Sequence, residues 1–155
     1  MRSWSGLKDL TALTEQEIAG LNNKALPNTW AMRRVFGAPA RNIDTKTFIV
    51  PVHDGAIAAY LFEPRDNKDV MGMSPLVIFF HGGGWMFGNM DIYNLFCTHL
   101  ACSAQASVLS VDYRLAPKHK FPTAVEDCYQ TLLWAYQGAR YWKIDPDRIF
   151  VAGDA

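Results

Sequence analysis

The clearest apolar segment of the chain covers residues 76–80, Leu-Val-Ile-Phe-Phe. An uninterrupted apolar run of this length predicts a strand that is buried on both faces of a sheet. The run stops at His81, which is followed by three glycines at residues 82–84 and by Trp85. Consecutive glycines cost backbone entropy and give a core nothing to pack, so they suit a turn whose N–H groups another molecule can approach.

Two segments before this strand predict an antiparallel hairpin. Residues 46–50 and 56–62 are rich in β-forming side chains, and the turn signal His-Asp-Gly lies between them at residues 53–55. Because the spacing between the segments is short, the two strands are expected to pair directly with each other.

The first part of the chain predicts helices. Thr14 and Glu17 have the spacing of a capping box, and a second short helix is predicted over residues 29–35. These elements predict a small helical segment ahead of the main sheet. It is interpreted either as a packing arm or as part of a lid over a site.

Strands and helices alternate after the glycines. The hydrophobic pattern predicts a helix, a strand, a second helix and a short last strand, over residues 92–100, 107–112, 123–136 and 148–152. The first helix is expected to pack through a face that includes Phe96 and His99. The second is expected to begin with a capping box at Thr123 and Glu126. This order predicts an α/β protein with a parallel sheet.

Composition limits the possible functions. A chain of 155 residues suits one domain, and hydrophobic residues make up 50% of it, which suffices for a large core. Formal net charge is zero and the pI is about 6.9, so binding to nucleic acid or a membrane surface through bulk charge is not expected. Residues 1–9 contain no signal-peptide core, and no apolar run is as long as a membrane span. Cys97, Cys102 and Cys128 lack metal-ligand spacing, so a cytoplasmic protein with reduced thiols is expected.

The glycine segment fits few kinds of binding chemistry. A dinucleotide site requires G-x-G-x-x-G, whereas Gly82, Gly84 and Gly88 have the spacing G-x-G-x-x-x-G. A P-loop requires Gly-Lys followed by Ser or Thr, which is absent from the sequence. The chemistry that remains is stabilisation of an oxyanion, in which N–H donors surround a carbonyl oxygen as it becomes negative beside a nucleophile.

Four segments together resemble the hormone-sensitive-lipase-like branch of the α/β-hydrolases, a family of carboxylesterases and lipases. They are His-Gly-Gly-Gly-Trp at 81–85, Asp-Tyr-Arg-Leu-Ala-Pro at 112–117, Phe-Pro at 121–122 and Gly-Asp at 153–154. The resemblance implies the α/β-hydrolase fold. Residues 1–44 are then expected to form a helical cap segment, and residues 45–155 the N-terminal half of the hydrolase core.

The resemblance also implies roles for individual residues. The N–H groups of Gly83 and Gly84 match donors of the family's oxyanion hole, and Gly82 allows the turn that presents them. Residues that support the site, without acting as its acid or base, are His81, Trp85 and Asp154. No metal and no organic cofactor are implied. The expected substrate is a small-molecule ester with a short- to medium-chain acyl group.

The chain departs from the family at Ala155. The family continues Gly-Asp-Ser-Ala-Gly-Gly, and Ala155 stands where that nucleophilic serine is expected. The alanine is interpreted either as a replacement of the serine or as a break in the sequence at the nucleophile. Since the acid and base follow the serine in this family, neither His119 nor Asp127 is assigned to the triad. The chain alone is expected to be inactive and to require the remaining C-terminal half, as a separate or continuous segment; oligomers are compatible with the sequence.

A second interpretation keeps the fold and changes the function, because a fold does not determine a function. Plant gibberellin receptors resemble this family, have lost catalysis and bind a small hormone, and an alanine at the nucleophile position suits such a loss. The intact glycines at residues 82–84 favour an enzyme, because an active oxyanion loop requires them. The predicted function is therefore ester hydrolysis by the complete protein, with a gibberellin-receptor-like binding protein as the alternative.

Overall fold

The computed structural model describes residues 13–22, 37–65, 72–88 and 90–154. Its elements in chain order are α1 (Glu15–Asn22), β1 (Ile43–Val52), β2 (Gly55–Pro64), β3 (Ser74–Phe80), α2 (Met90–Ala104), β4 (Ser107–Asp112), α3 (Thr123–Gly138) and β5 (Ile144–Gly153). A short 3₁₀ helix, Ala139–Trp142, joins α3 to β5. The predicted order of hairpin, strand, helix, strand, helix and strand is confirmed. The helix predicted over residues 29–35 lies outside the described residues.

The five strands form one mixed sheet in the order β1-β2-β4-β3-β5. β1 and β2 form the predicted antiparallel hairpin, in which Val52 pairs with Gly55 across the turn. β2 then pairs antiparallel with β4, whereas β3 lies parallel to both β4 and β5. The α/β class is therefore confirmed. β1 begins at Ile43, just before the expected start of the sheet domain at residue 45, and the domain boundary itself stays a prediction.

β3 is the strand from which the glycine segment extends, and both of its faces are covered. Ile78 packs in a core that includes Ala135 of α3, while Phe79 packs on the opposite face with Cys97 of α2. Each aliphatic or aromatic side chain of this size contributes roughly 2 kcal/mol when it is removed from water. The prediction of a strand buried on both faces is confirmed, and the glycine segment starts from a rigid support.

The helix α2 packs on the sheet through smaller side chains than expected. Its buried residues are Cys97, Thr98 and Ala101, whereas Phe96 and His99 are exposed. The prediction is confirmed for Phe96, whose half-exposed ring lies 5.3 Å, centroid to centroid, from the ring of Phe79 on β3. It is wrong for His99, which is exposed and has Nε2 2.8 Å from the Ala38 carbonyl oxygen. The distance between a helix and its neighbour depends on the side chains at the contact, and small ones permit close approach. The hydrophobic periodicity of a sequence does not show that small side chains are preferred at such a close contact.

Of the two predicted capping boxes, one is confirmed. The N–H and hydroxyl groups of Thr14 both donate to the Glu17 carboxylate at 2.9 Å, and the Glu17 N–H donates to the Thr14 hydroxyl at 3.3 Å. The box predicted at Thr123 and Glu126 is wrong, because Thr123 is already inside α3 and its helix start has no side-chain cap. The Glu126 N–H donates to the Pro122 carbonyl at 3.0 Å instead.

The strand β5 is longer than predicted, because residues 145–147 belong to it as an irregularity in its pairing with β3. Ile144 pairs with Ser74, and regular pairing with β3 resumes where Ile149 meets Leu76. From there β5 stays in register with β3 to its end, which determines where the chain leaves the sheet.

Candidate active site

The carboxyl ends of β3 and β5 meet at one edge of the sheet. Phe80 pairs with Gly153 as the last residue pair of these two parallel strands. A Cβ atom on Gly153 would lie 2.6 Å from the carbonyl oxygen of Phe80, so this close approach requires glycine. The glycine segment after β3 and Asp154 after β5 therefore lie side by side, at the edge where open α/β sheets bind ligands.

Residues 82–84 form a tight turn, and its backbone requires glycine at residues 83 and 84. The φ angle is 112° at Gly83 and 61° at Gly84. The Gly83 carbonyl accepts the N–H groups of Met86 at 3.2 Å and Phe87 at 3.0 Å, and a Cβ on Gly83 would lie 2.1 Å from the Phe87 carbonyl oxygen. Neither the Gly83 nor the Gly84 N–H donates a hydrogen bond to any residue that the structure describes. Among the described residues, these two N–H groups therefore have no hydrogen-bond partner, and a ligand can accept from both.

Asp154 holds the turn from the neighbouring strand. Its Oδ1 accepts the Gly82 N–H at 2.7 Å, and its Oδ2 accepts the Tyr93 hydroxyl at 3.3 Å. Burial raises the pKa of Tyr93, and the nearby charge of Asp154 raises it further, so the phenol stays protonated as a donor. The first glycine is therefore connected through one carboxylate to both β5 and α2.

His81 is a buried side chain at the base of the turn. Its ring stacks on Tyr113 with centroids 4.2 Å apart and an interplanar angle of 9°, and the Tyr113 hydroxyl donates to the His81 carbonyl. Nδ1 lies 2.8 Å from the Gly82 carbonyl, which only accepts, so Nδ1 carries the proton. Gly88 leaves room for the ring, since a Cβ there would lie 2.3 Å from Cε1. The ring thus supports the turn through packing and one hydrogen bond.

An open cleft of about 600 Å³ runs along this edge of the sheet. The predicted site residues that line it are His81, Gly82, Gly84, Trp85 and Asp154. The Trp85 side chain is 60% exposed, while its carbonyl accepts the Ala116 N–H at 2.9 Å. Ala155, the predicted nucleophile position, lies outside the described residues. The structure therefore brings the other predicted site residues together around one turn and two strand ends.

An ion pair that sequence reasoning missed fastens the loop after β4. Arg114 Nη2 lies 2.7 Å from Oδ1 of Asp127, and its Nε donates to Oδ2 at 2.9 Å. The Arg114 N–H donates to the same carboxylate at 3.1 Å, and Nη2 also donates to the His53 carbonyl at 2.9 Å. Asp127 is fully buried, so this contact joins α3, the hairpin turn and the loop. A carboxylate on a helix face shared with Ala124 and Thr131 is the one sequence signal that could have indicated it.

The described residues offer little for other kinds of site. Its His, Cys, Asp and Glu side chains form no group of three or more that could hold a metal ion. Burial raises the pKa of both Cys97 and Cys128 to about 12, so neither free thiol is ready to act as a nucleophile. None of the described helices is long and apolar enough to cross a membrane.

The mixed sheet, with a glycine turn after β3 beside the end of β5, defines a protein of the α/β-hydrolase class. A model of the alpha/beta hydrolase fold family matches residues 77–155, just over half of the chain. The chain belongs to this family.

Similar proteins include esterases. The carboxylic ester hydrolase LipN of Mycobacterium tuberculosis is 37% identical over 118 residues, which are 76% of this chain and 30% of LipN. An arylesterase of Saccharolobus solfataricus is 45% identical over 110 residues, 71% of this chain and 35% of the arylesterase. The crystal structure of EstE1, a thermophilic carboxylesterase from a metagenomic library, matches with a TM-score of 0.75 and 36% identity.

These matches cover most of this chain but less than half of each relative. The EstE1 comparison covers 94% of this chain and 46% of EstE1. The chain thus spans about a third of the two curated relatives and just under half of the solved structure. The predicted resemblance to carboxylesterases of the α/β-hydrolase fold, and to only part of their length, is confirmed.

Proposed function

We propose that the complete protein, with a serine at the position of Ala155, is a carboxylic ester hydrolase that acts on small esters with short- to medium-chain acyl groups. The observation that carries this proposal is the turn at residues 82–84, where the N–H groups of Gly83 and Gly84 have no partner among the described residues. Two such donors stabilise an ester carbonyl oxygen when it becomes negative in the tetrahedral intermediate. The activities named for LipN, the arylesterase and EstE1 support the same chemistry.

The other predicted site residues are proposed to keep these donors in place. Gly82 provides the turn, and Asp154 accepts its N–H group. His81 packs at the base of the turn, and Trp85 forms an exposed rim of the cleft. Donors that are already oriented are effective because no reorganisation is needed when charge develops.

The reaction also needs a nucleophile, a base and an acid. Ala155 directly follows Asp154, where the family has its nucleophilic serine. In the proposed mechanism a serine at this position attacks the ester carbonyl, assisted by a histidine that an acidic residue orients. The alcohol leaves, the acyl group stays on the serine, and water then releases the acid. The 155 residues alone supply the oxyanion donors and are proposed to be inactive.

Exposed apolar side chains support the need for further protein. Phe150 and Val151 of β5 are 57% and 59% exposed, and Tyr129 and Leu133 of α3 are exposed as well. β5 is also an edge strand, and edge strands have backbone groups available for pairing. The remaining half of the α/β-hydrolase fold, as a separate or continuous segment, is proposed to cover this surface.

The test compares the hydrolysis of p-nitrophenyl butyrate by three proteins. They are the chain of 155 residues, the complete protein and the complete protein with Ala155→Ser. We expect the Ala155→Ser protein to hydrolyse the ester and to react with a fluorophosphonate at residue 155, and the chain of 155 residues to be inactive. Adding Gly83→Ala to the serine variant keeps the backbone N–H group but forces the turn to move, because the new Cβ would lie 2.1 Å from the Phe87 carbonyl oxygen. The misdirected donor is expected to lower kcat by up to about 10²- to 10³-fold.

One outcome would contradict the proposal. It is a folded Ala155→Ser protein that hydrolyses no p-nitrophenyl ester from acetate to octanoate. Binding of a small ligand by that folded but inactive protein would favour the gibberellin-receptor-like alternative.

A further inference from the structure

The glycine turn is also held from outside the sheet, by the last residue of α1. Asn22 Nδ2 donates to the Met86 carbonyl at 2.7 Å, and Asn22 Oδ1 accepts the Gly88 N–H at 3.2 Å. The two bonds join segments that are 64 and 66 residues apart in the sequence. One amide side chain therefore clamps residues 86–88.

The clamped residues are connected to a proposed oxyanion donor. The N–H groups of Met86 and Phe87 both donate to the Gly83 carbonyl. This carbonyl and the Gly84 N–H belong to the same planar peptide unit, so the rotation of that unit sets the direction of the N–H group. Displacing residues 86–88 would therefore turn the Gly84 donor.

Two other hydrogen bonds between described residues hold the turn at Gly82 and Trp85. Asp154 holds Gly82, and the Ala116 N–H donates to the Trp85 carbonyl. Neither bond reaches residues 86–88. Among the described residues, Asn22 supplies the side-chain hydrogen bonds that hold residues 86–88, while the Gly88 backbone packs against the His81 ring.

We propose that Asn22 is a positioning residue that orients the Gly84 N–H, so that α1 controls the geometry of the oxyanion site. Its effect on catalysis rests on the proposed function, whereas its effect on the turn does not. Asparagine suits this place because its amide donates to one backbone group and accepts from another. Aspartate has a similar shape but replaces the donor with a second acceptor and adds a negative charge, and alanine has neither the donor nor the acceptor.

The first measurement is amide hydrogen exchange in the complete protein and in its Asn22→Ala and Asn22→Asp variants. In Asn22→Ala we expect exchange at Met86 and Phe87 to become about tenfold faster, because the clamp no longer opposes local opening. Gly82 is the internal control, since Asp154 holds it separately, and its exchange is expected to change less than about twofold. Unchanged exchange at Met86 and Phe87 in both variants would overturn the proposal, whether or not the protein is an esterase.

The second measurement is ester hydrolysis in the Ala155→Ser complete protein. Asn22→Ala, which removes both bonds without adding a charge, is expected to lower kcat by about 10- to 100-fold with KM unchanged, because an oxyanion donor acts mainly in the transition state. Thr14→Ala is the matched control, since it weakens the cap of the same helix and leaves Asn22 in place. An equal loss of kcat in Thr14→Ala would overturn the assignment of the effect to the Asn22 amide, because any weakening of α1 would then explain it. If the Ala155→Ser protein hydrolyses no ester, the proposed function fails, and the exchange measurement still decides the role of Asn22.

Discussion

The carboxylate of Asp154 accepts the Gly82 N–H at 2.7 Å, across 72 residues of sequence. Since Gly82 follows β3 and Asp154 follows β5, this bond ties together the two strand ends that form the candidate site. It occupies the first glycine N–H of the turn, while those of Gly83 and Gly84 have no partner among the described residues. The Gly82 N–H thus holds the turn in place, while the N–H groups of Gly83 and Gly84 are the ones proposed to bind the oxyanion.

Asp154→Ala is expected to lower the free energy of unfolding by about 1 to 2 kcal/mol, because the buried Gly82 N–H loses its acceptor. Asp154→Asn is the matched control, since its amide oxygen can still accept this bond, and its loss is expected to stay below about 0.5 kcal/mol. Chemical denaturation of the complete protein at neutral pH measures both values. Equal losses in the two variants would show that the bond to Gly82 is not the source of the effect.

The two proposed oxyanion glycines are expected to tolerate alanine differently. In Gly83→Ala the new Cβ would clash with the Phe87 carbonyl oxygen, in addition to the strain of a positive φ, so we expect a loss of about 3 kcal/mol or more. Gly84→Ala has a positive φ and no atom within 4 Å of the new Cβ, so about 1 to 2 kcal/mol is expected. Thermal unfolding of the complete protein distinguishes them. A similar destabilisation by both changes would contradict the described turn.

Asp127→Ala is expected to destabilise the protein by about 3 to 5 kcal/mol, because it leaves the largely buried Arg114 guanidinium without its carboxylate. Asp127→Asn keeps an acceptor and the side-chain volume, so its loss should be smaller. Asp147→Ala, at an exposed position, is the surface control and is expected to change stability by less than about 0.5 kcal/mol. Urea unfolding gives the three values, and a loss below about 1 kcal/mol for Asp127→Ala would contradict the structural role of the ion pair.

The cysteines are expected to react at very different rates. Burial raises the pKa of Cys97 and Cys128 to about 12, so at pH 8 only about one such thiol in 10,000 is ionised. Cys102 is exposed and is expected to account for the fast reaction of native protein with a disulfide reagent. Cys102→Ser should remove that fast phase, and the denatured chain should react at all remaining thiols. A fast phase that survives Cys102→Ser would contradict this assignment.

The same pKa values predict how stability depends on pH. The folded pKa of Cys97 and Cys128 lies above the unfolded value of about 8.5, so the unfolded thiols ionise first as pH rises. Their contribution to stability is therefore complete below about pH 8 and is lost as pH rises toward 12. Urea unfolding between pH 7 and pH 10 should show the fall begin near pH 8, and a Cys97→Ala, Cys128→Ala double variant should show a shallower one.

Features that depend on neighbours along the chain could be predicted from the amino-acid order. β4 was predicted at its observed bounds, Ser107–Asp112, and the Thr14 cap was predicted with its partner Glu17. The apolar run before the glycines also indicated correctly a strand buried on both faces. Periodicity and capping are visible in sequence because the interacting residues are within a few positions of each other.

Contacts between distant segments could not be predicted in this way. The resemblance indicated Gly82 and Asp154 as site residues but not the bond between them, and nothing in the pattern connected Asn22 to Gly88 or placed Asp127 against Arg114. The pairing of the hairpin with β4, and not with β3, belongs to the same group of features. A hydrogen bond across the fold requires only one suitable group at each end, so it leaves no periodic signal. The packing of the strands and helices brings these groups within reach of each other.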